Sequence, residues 1–300
     1  MSQPARIRPT VCTNRPASVT GPCLSALRDS GLAAETMVIV SGLSGATLAE
    51  RRRGIDRLIP EATVLVEPLG GASRGRNLAL AEAEPTDVLA FLDDDAVITE
   101  TWVAAMARSW SGAGADVAAI GGPVQPLFLA PRPPWLSDYL LRGLSIVDYG
   151  PEPRVLEIAD GGLFTANLAI VAQHALAVGG FDLRRGPRGS GPGFGEDILI
   201  QDRLREHGLK VLYEPAAAVL HRIAPDRLTR AAVLHRRYAQ GVEMGRTPYR
   251  RQVADTLRGL IVSTARVCAY TLVGKPDVAI GHLAYSAQSI GVLSERARRR

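Results

Sequence analysis

The chain has 300 residues, 46% hydrophobic and 22% charged, a composition that excludes a disordered or fibrous polymer and suffices for one large core or two smaller ones. Its three cysteines, Cys12, Cys23 and Cys268, are too few and too scattered for a disulfide framework or a zinc knuckle, so a reducing, cytoplasmic setting is expected. The net charge of +5 is uneven: residues 221–300 carry 15 Arg or Lys against 5 Asp or Glu, which leaves the preceding part net acidic.

The opening stretch "MSQPARIRPTVCTNRP" is broken by Pro4, Arg6, Arg8 and Pro9, so no signal peptide is expected there. Short apolar runs then recur at Ile7 to Cys12, Met37 to Val40, Thr63 to Val66, Val88 to Leu92 and Val117 to Ile120. Between the first four lie helix-like stretches at Val19 to Ser30, Leu48 to Leu58 and Ser73 to Glu82. Strands alternating with helices predict an α/β domain with a largely parallel, Rossmann-like sheet flanked by helices. Ligands of such sheets sit beyond the carboxyl ends of the strands. The residues there are Thr13, Asn14 and Arg15, then Ser41 to Gly45, then Asp93 to Asp95. Before the third helix "GGASRGRN" predicts Ser73 as a cap, with Arg74, Arg76 and Asn77 in a first turn suited to phosphate.

After Ile120 a proline-rich connection leads to a short helix at Pro134 to Arg142. Gly161 to Phe181 is uncharged and as long as a membrane span, but Asn167, Gln173, His174 and its glycines favour a strand at Leu163 to Ile170 and a helix at Val171 to Val178, stopped by Gly179 and Gly180. The glycine-rich loop Gly186 to Gly195 suits a lid, and Glu196 and Asp197 open an amphipathic helix through Glu206. Further helices are expected at 226–241, 251–273 and 278–300, none with an uninterrupted apolar span.

The sharpest feature is "VLAFLDDDAVIT", in which a buried strand delivers Asp93, Asp94 and Asp95 to one point. Adjacent carboxylates raise one another's pKa unless a cation or a ring of donors offsets them. A divalent metal, Mg²⁺ or Mn²⁺, satisfies that need, because a hard cation takes one or two carboxylates and keeps its remaining positions for water and phosphate.

In order along the chain, "VCTNRP", "GASRGRN", "FLDDDA", "GLFTANLAI", "GGFD", "GEDILIQDRLREHG" and "VLH" resemble the family 2 glycosyltransferases, enzymes of GT-A fold that transfer a sugar from a nucleotide diphosphate. The likeness runs from about Arg8 to about Gly241. It implies a catalytic domain over 1–221, with a nucleotide-binding half at about 1–122 and an acceptor-binding half at about 123–221, followed by a helical, basic extension over 222–300. It also implies that Thr13 and Arg15 touch the nucleotide and that Arg76 and Asn77 sit near the diphosphate. Asp93, Asp94 and Asp95 form the acidic motif, with Asp95 the main metal ligand, Asp93 nearer the ribose, and His221 approaching from the other side at the end of the strand "AAAVL". Asp197 is then the base that takes the acceptor's proton, supported by Glu196, and the reaction inverts the anomeric centre.

Two departures qualify the likeness. Many relatives read the base with an Asp after the second strand, where this chain has Ser41 and Ser44, and the Gln-x-x-Arg-Trp motif of processive synthases is absent. Donor base, sugar and oligomeric state are therefore left open. The acceptor is a glycan, a lipid-linked sugar or a small molecule.

Other readings remain beside these. Asp94 could face solvent or cap a turn, His221 could be a buried structural histidine, and Trp135 and Tyr139 could stack on a sugar or simply pack. The same acidic stretch satisfies the Asp-x-Asp-x-Val pattern of haloacid-dehalogenase-like phosphatases, but Lys210 and Lys275, the chain's lysines, lie in no fitting context. A catalytically degenerate binding module is a further alternative. The C-terminal charge lacks interleaved aromatics, so no nucleic-acid partner is expected. It suits instead peripheral, salt-sensitive contact with an anionic membrane through Arg227, Arg230 and the tail "SERARRR", with Arg236 or Arg237 reaching the diphosphate.

Overall fold

The computed structural model describes residues 6–186, 195–246 and 253–299. In chain order its elements are β1 (Ile7–Thr13), α1 (Ala17–Asp29), β2 (Met37–Ser41), α2 (Gly45–Leu58), β3 (Thr63–Glu67), α3 (Ala72–Ala81), β4 (Val88–Asp93), β5 (Ala96–Ile98), α4 (Trp102–Ser111), β6 (Val117–Gly121), β7 (Val124–Phe128), α5 (Asp138–Leu141), β8 (Arg154–Val155), β9 (Asn167–Val171), α6 (Ala172–Ala177), α7 (Glu196–Glu206), β10 (Lys210–Tyr213), β11 (Val219–Ile223), α8 (Arg230–Arg246), α9 (Val253–Leu272) and α10 (Pro276–Arg298). They fall into two compact units. Residues 6–126, 147–186 and 196–222 belong to the first, and residues 127–146 and 223–299 supply the body of the second.

The first unit is built on an eight-stranded sheet in the order β3-β2-β1-β4-β9-β6-β10-β8. The pairings β3–β2, β2–β1, β1–β4 and β6–β10 are parallel, whereas β9 runs antiparallel to both β4 and β6. Every residue of β2 and β6 is buried, as the continuous apolar runs of a sheet covered on both faces require. Phe91 and Phe181 meet edge to face at 5.2 Å in the core, which also takes in Leu80, Leu89, Ile170, Ile200 and Tyr213.

Two local expectations are corrected. The strand expected from Leu163 begins at Asn167, because the Gln201 amide takes both main-chain groups of Leu163, its Oε1 accepting from the N–H (2.9 Å) and its Nε2 donating to the carbonyl (2.8 Å). Ser73 is not a cap. The helix begins at Ala72 behind Gly71, whose φ of 103° lies where side chains are disfavoured, and Ser73 Oγ donates instead to the Arg185 carbonyl (3.0 Å). Of the expected lid, residues 187–194 lie outside the described residues.

In the second unit α8, α9 and α10 pack together, and Leu136, Leu140, Leu144, Ile223, Leu228, Val233, Ile280 and Ala284 form its buried apolar cluster. Arg237 is buried there, donating to the Tyr139 carbonyl (2.6 Å) with its guanidinium 4.9 Å from that ring, and Arg230 lies 5.9 Å from the Trp135 ring. Arg236 donates to the Gly143 carbonyl (2.9 Å). Arg237 is thus occupied in packing, whereas Tyr139 is about half exposed and Trp135 partly buried. Among the described residues no helix is long and apolar enough to cross a membrane.

Candidate functional site

β4 ends at Asp93, and Asp94 and Asp95 form the two-residue turn into β5. β11 then pairs antiparallel with β5, setting His221 opposite Ala96, while the Arg222 N–H donates to the Asp95 carbonyl (2.8 Å). His221 therefore lies within its strand and not at its end, because pairing with β5 begins only at Val219. This register brings His221 Nε2 to 3.1 Å from Asp95 Oδ1, with both side chains buried. Asp93, Asp95 and His221 each turn a ligand atom to one place, all within 4.8 Å of one another. Two carboxylates and an imidazole fit a divalent cation such as Mn²⁺ or Mg²⁺ and leave positions for phosphate oxygens.

Asp94 does not face solvent. It is 5% exposed, accepts a hydrogen bond from Thr13 Oγ1 (2.5 Å), and sits 3.3 Å from Arg15 Nη2. Arg15 Nη1 is 2.9 Å from Asp95 Oδ2, so one guanidinium spans two of the three aspartates. Burial pushes the Asp94 carboxyl up to about 6, against the pull of Arg15. Sequence proximity alone gives no sign of this closure, because Thr13 and Arg15 lie some eighty positions upstream.

A second group is organised by α3 and α7. Arg76 is buried, with Nη1 2.7 Å from Glu196 Oε1 and Nη2 3.8 Å from Asp93 Oδ1, and its guanidinium lies 5.5 Å from the Phe181 ring. One cation thus links the acidic start of α7 to the end of β4. Asp197 is buried beside Glu196, and desolvation with that neighbouring charge pushes its carboxyl up to about 8. A carboxyl held near neutral pH can both lose and take a proton during turnover. Asn77 is engaged elsewhere: its Nδ2 donates to the Phe181 carbonyl (2.9 Å) and its Oδ1 accepts from the Phe181 N–H (2.8 Å), fastening the turn after Gly180. Ser41 is also turned inward, toward the Gly71 carbonyl (3.4 Å).

Two residues that support the site were not singled out from sequence. Gln201 also donates to the Asp197 carbonyl (2.7 Å), tying the segment before β9 to α7. Asn167 is wholly buried, donating to the carbonyls of Pro123 (3.2 Å) and Ala217 (2.7 Å) and accepting from Trp102 Nε1 (2.9 Å). A lone polar residue at the start of an apolar strand was the available signal for Asn167.

Residues 10–130 match the model of "Glycosyl transferase family 2". The chain is 26% identical over 180 residues to the glucosyl-dolichyl phosphate glucuronosyltransferase of Haloferax volcanii, a match covering 59% of this chain and 54% of that one, so it spans about half the length of that relative. A mannosyltransferase from Pyrobaculum calidifontis, solved with GDP-Man and Mn²⁺, superposes with a TM-score of 0.61 at 14% identity over 97% of this chain and 88% of its own. GalNAc-T7 with UDP, GalNAc and Mn²⁺ gives 0.54 at 14% identity, over 82% of this chain and 52% of its own. At such identity these two likenesses show the fold, which is GT-A.

Proposed function

We propose that this chain, a family 2 glycosyl transferase sequence over residues 10–130 on a GT-A fold, moves a sugar from a nucleotide-diphosphate sugar to an acceptor hydroxyl, inverting the anomeric centre and adding one sugar at a time. The observation that carries the reading is the convergence of Asp93, Asp95 and His221 at the end of β4. These three would hold Mn²⁺ or Mg²⁺, which when bound offsets the charge developing on a departing diphosphate.

The chain's own residues then divide the work. Thr13 and Arg15 frame the nucleotide, and Asp94, held between them, fixes that loop. Arg76 anchors the Glu196 end of α7 against Asp93, so the base and the acidic turn keep a set distance. The Asp197 carboxylate takes the acceptor's proton as the acceptor oxygen bonds to the anomeric carbon and the bond to the diphosphate breaks. Asn77 serves by holding the Phe181 turn. Residues 1–221 form the catalytic domain, with nucleotide and acceptor halves meeting near residue 122. The acceptor is a glycan or a lipid-linked sugar, in keeping with the dolichyl phosphate named for the Haloferax relative, and the basic residues of 222–300 bring the protein peripherally to an anionic membrane.

The test is thermal unfolding against a panel of nucleotide sugars with and without Mn²⁺. A ligand at 100 times its Kd stabilises the folded state by about 2.7 kcal/mol. Stabilisation that requires donor and metal together is expected. A protein indifferent to every donor in the presence of Mn²⁺ overturns the reading.

A further inference from the structure

Helix α9 is inverted relative to an ordinary surface helix. Its inward residues are small or polar: Thr256 and Ser263 are buried, Ser263 Oγ lies 2.7 Å from Ser286 Oγ, a Cβ at Gly259 would meet the Tyr285 hydroxyl, and Tyr270 stacks on His282 at 5.4 Å. Leu260 and Val267 are half-buried, but most of its large apolar residues face out. Ile261 is 70% exposed, and Leu257 and Val262 are exposed with it. Beyond Cys268 the face continues to Leu272, 86% exposed, and Val273. A soluble helix normally buries its apolar stripe, so an outward stripe of this length marks a surface that is covered in use. Exposed Arg258 and Arg266 stand on the same helix, Lys275 follows its end, and Arg298 and Arg299 are exposed at the end of α10.

We infer that the outer face of α9 lies in the headgroup region of an anionic lipid bilayer, with Leu257, Ile261, Val262 and Leu272 in the acyl boundary and Arg258, Arg266 and Lys275 on phosphate. Cations set among apolar side chains complement anionic lipid, whereas they repel their own copies across a two-fold interface. No described helix is apolar enough to span, so α9 rests on the surface. The inference rests on the proposed transferase reading only for its purpose, which is to hold the site beside a lipid-linked acceptor. It replaces a purely electrostatic, fully salt-reversible contact with one that has an apolar component.

Cys268 allows a direct test in the full chain, since it is exposed on α9 while burial pushes the Cys12 thiol up to about 12 and raises that of Cys23 as well. The protein carrying a polarity-sensitive thiol probe at Cys268 is titrated with vesicles of phosphatidylcholine alone or mixed with phosphatidylglycerol. A blue shift with the mixed vesicles that partly survives high salt is expected. Ile261→Asp and Leu272→Asp, both at exposed positions, should each weaken partitioning by about tenfold or more, because losing the transfer energy of one large apolar side chain exceeds 1.4 kcal/mol. No shift, equal shifts in the Asp variants, or a shift without vesicles accompanied by a doubled mass overturns the inference, the last by showing that a second copy covers the face. Thermal stabilisation by nucleotide diphosphates with Mn²⁺ is measured on the same samples. Its absence beside intact vesicle binding refutes the transferase reading and leaves the surface standing.

Discussion

Replacing Arg76 by Met removes the guanidinium that meets Glu196 at 2.7 Å, and it does so where both side chains are buried. The Glu196 carboxylate is then left without its partner inside the protein. Breaking a buried pair from one side costs about 3–5 kcal/mol, whereas replacing both partners with apolar side chains is often close to neutral. Domains of this size lose roughly 2–4 °C of Tm per kcal/mol, so Arg76→Met should unfold about 6–20 °C below the wild type. Glu196→Met added to Arg76→Met should restore most of the loss. Calorimetric unfolding of the two single variants and the double variant closes the cycle. A Tm within about 2 °C of wild type for Arg76→Met, or a double variant no better than the single, would refute the claim that this pair fastens α7 to α3.

Asp95→Ala and Asp93→Ala should abolish Mn²⁺-dependent binding of nucleotide diphosphates in calorimetry, and unchanged affinity in both would sink the ligand assignment. Asp197→Asn should lower turnover by roughly 10² to 10⁴ while leaving donor binding nearly intact. The same substitution should raise Tm, and its sign with pH is fixed. Burial and the neighbouring Glu196 push the folded carboxyl up to about 8 from its ordinary value of 3.8, so this group's contribution to wild-type stability falls as pH rises through that interval, and the advantage of the Asn variant should grow over it. An advantage that shrinks toward alkaline pH would contradict it. Asn167→Leu should cost about 2–4 kcal/mol, since it takes the Asn167 partner from the Ala217 carbonyl and from the Trp102 N–H, while the Pro123 carbonyl keeps the Val219 N–H, and denaturant unfolding would read it.

Strands β2, β3, β4 and β6 were legible because each is a short apolar run, buried in β2, β4 and β6 and half-buried at the edge in β3: the expected runs at Met37, Thr63, Val88 and Val117 all extend by one residue in the folded chain. Glu196 to Glu206 is the helix its pattern predicts. Helix α4 lies outside the expected elements although its buried Trp102, Ala105, Met106 and Trp110 recur at helical spacing. The acidic triplet itself was plain, but its environment was not. That Asp94 is buried beside Asp95 and held by Thr13 and Arg15 depends on how the end of β1 approaches the β4–β5 turn across the sheet. The hydrogen bonds of Asn77 were hidden for a related reason: its neighbour Arg76 points toward Glu196 while its own amide fits the main chain of Phe181, and one step along a helix turns a side chain by about 100°.

The position of β9 bears on how the chain reaches its fold. It sits between β4 and β6 as the seam of the sheet, yet it comes after both in sequence. Strands β1 to β4, with the helices between them, can assemble from local contacts as soon as they are made, whereas β6 has no route into the same sheet until residue 171 arrives to pair on both sides. Loop closure over that separation is slow, and open strand edges invite the wrong partner while they wait. Variants that weaken β9, Asn167 among them, should therefore burden refolding yield more than their equilibrium cost alone suggests, and a growing chain should become resistant to protease late and in one step.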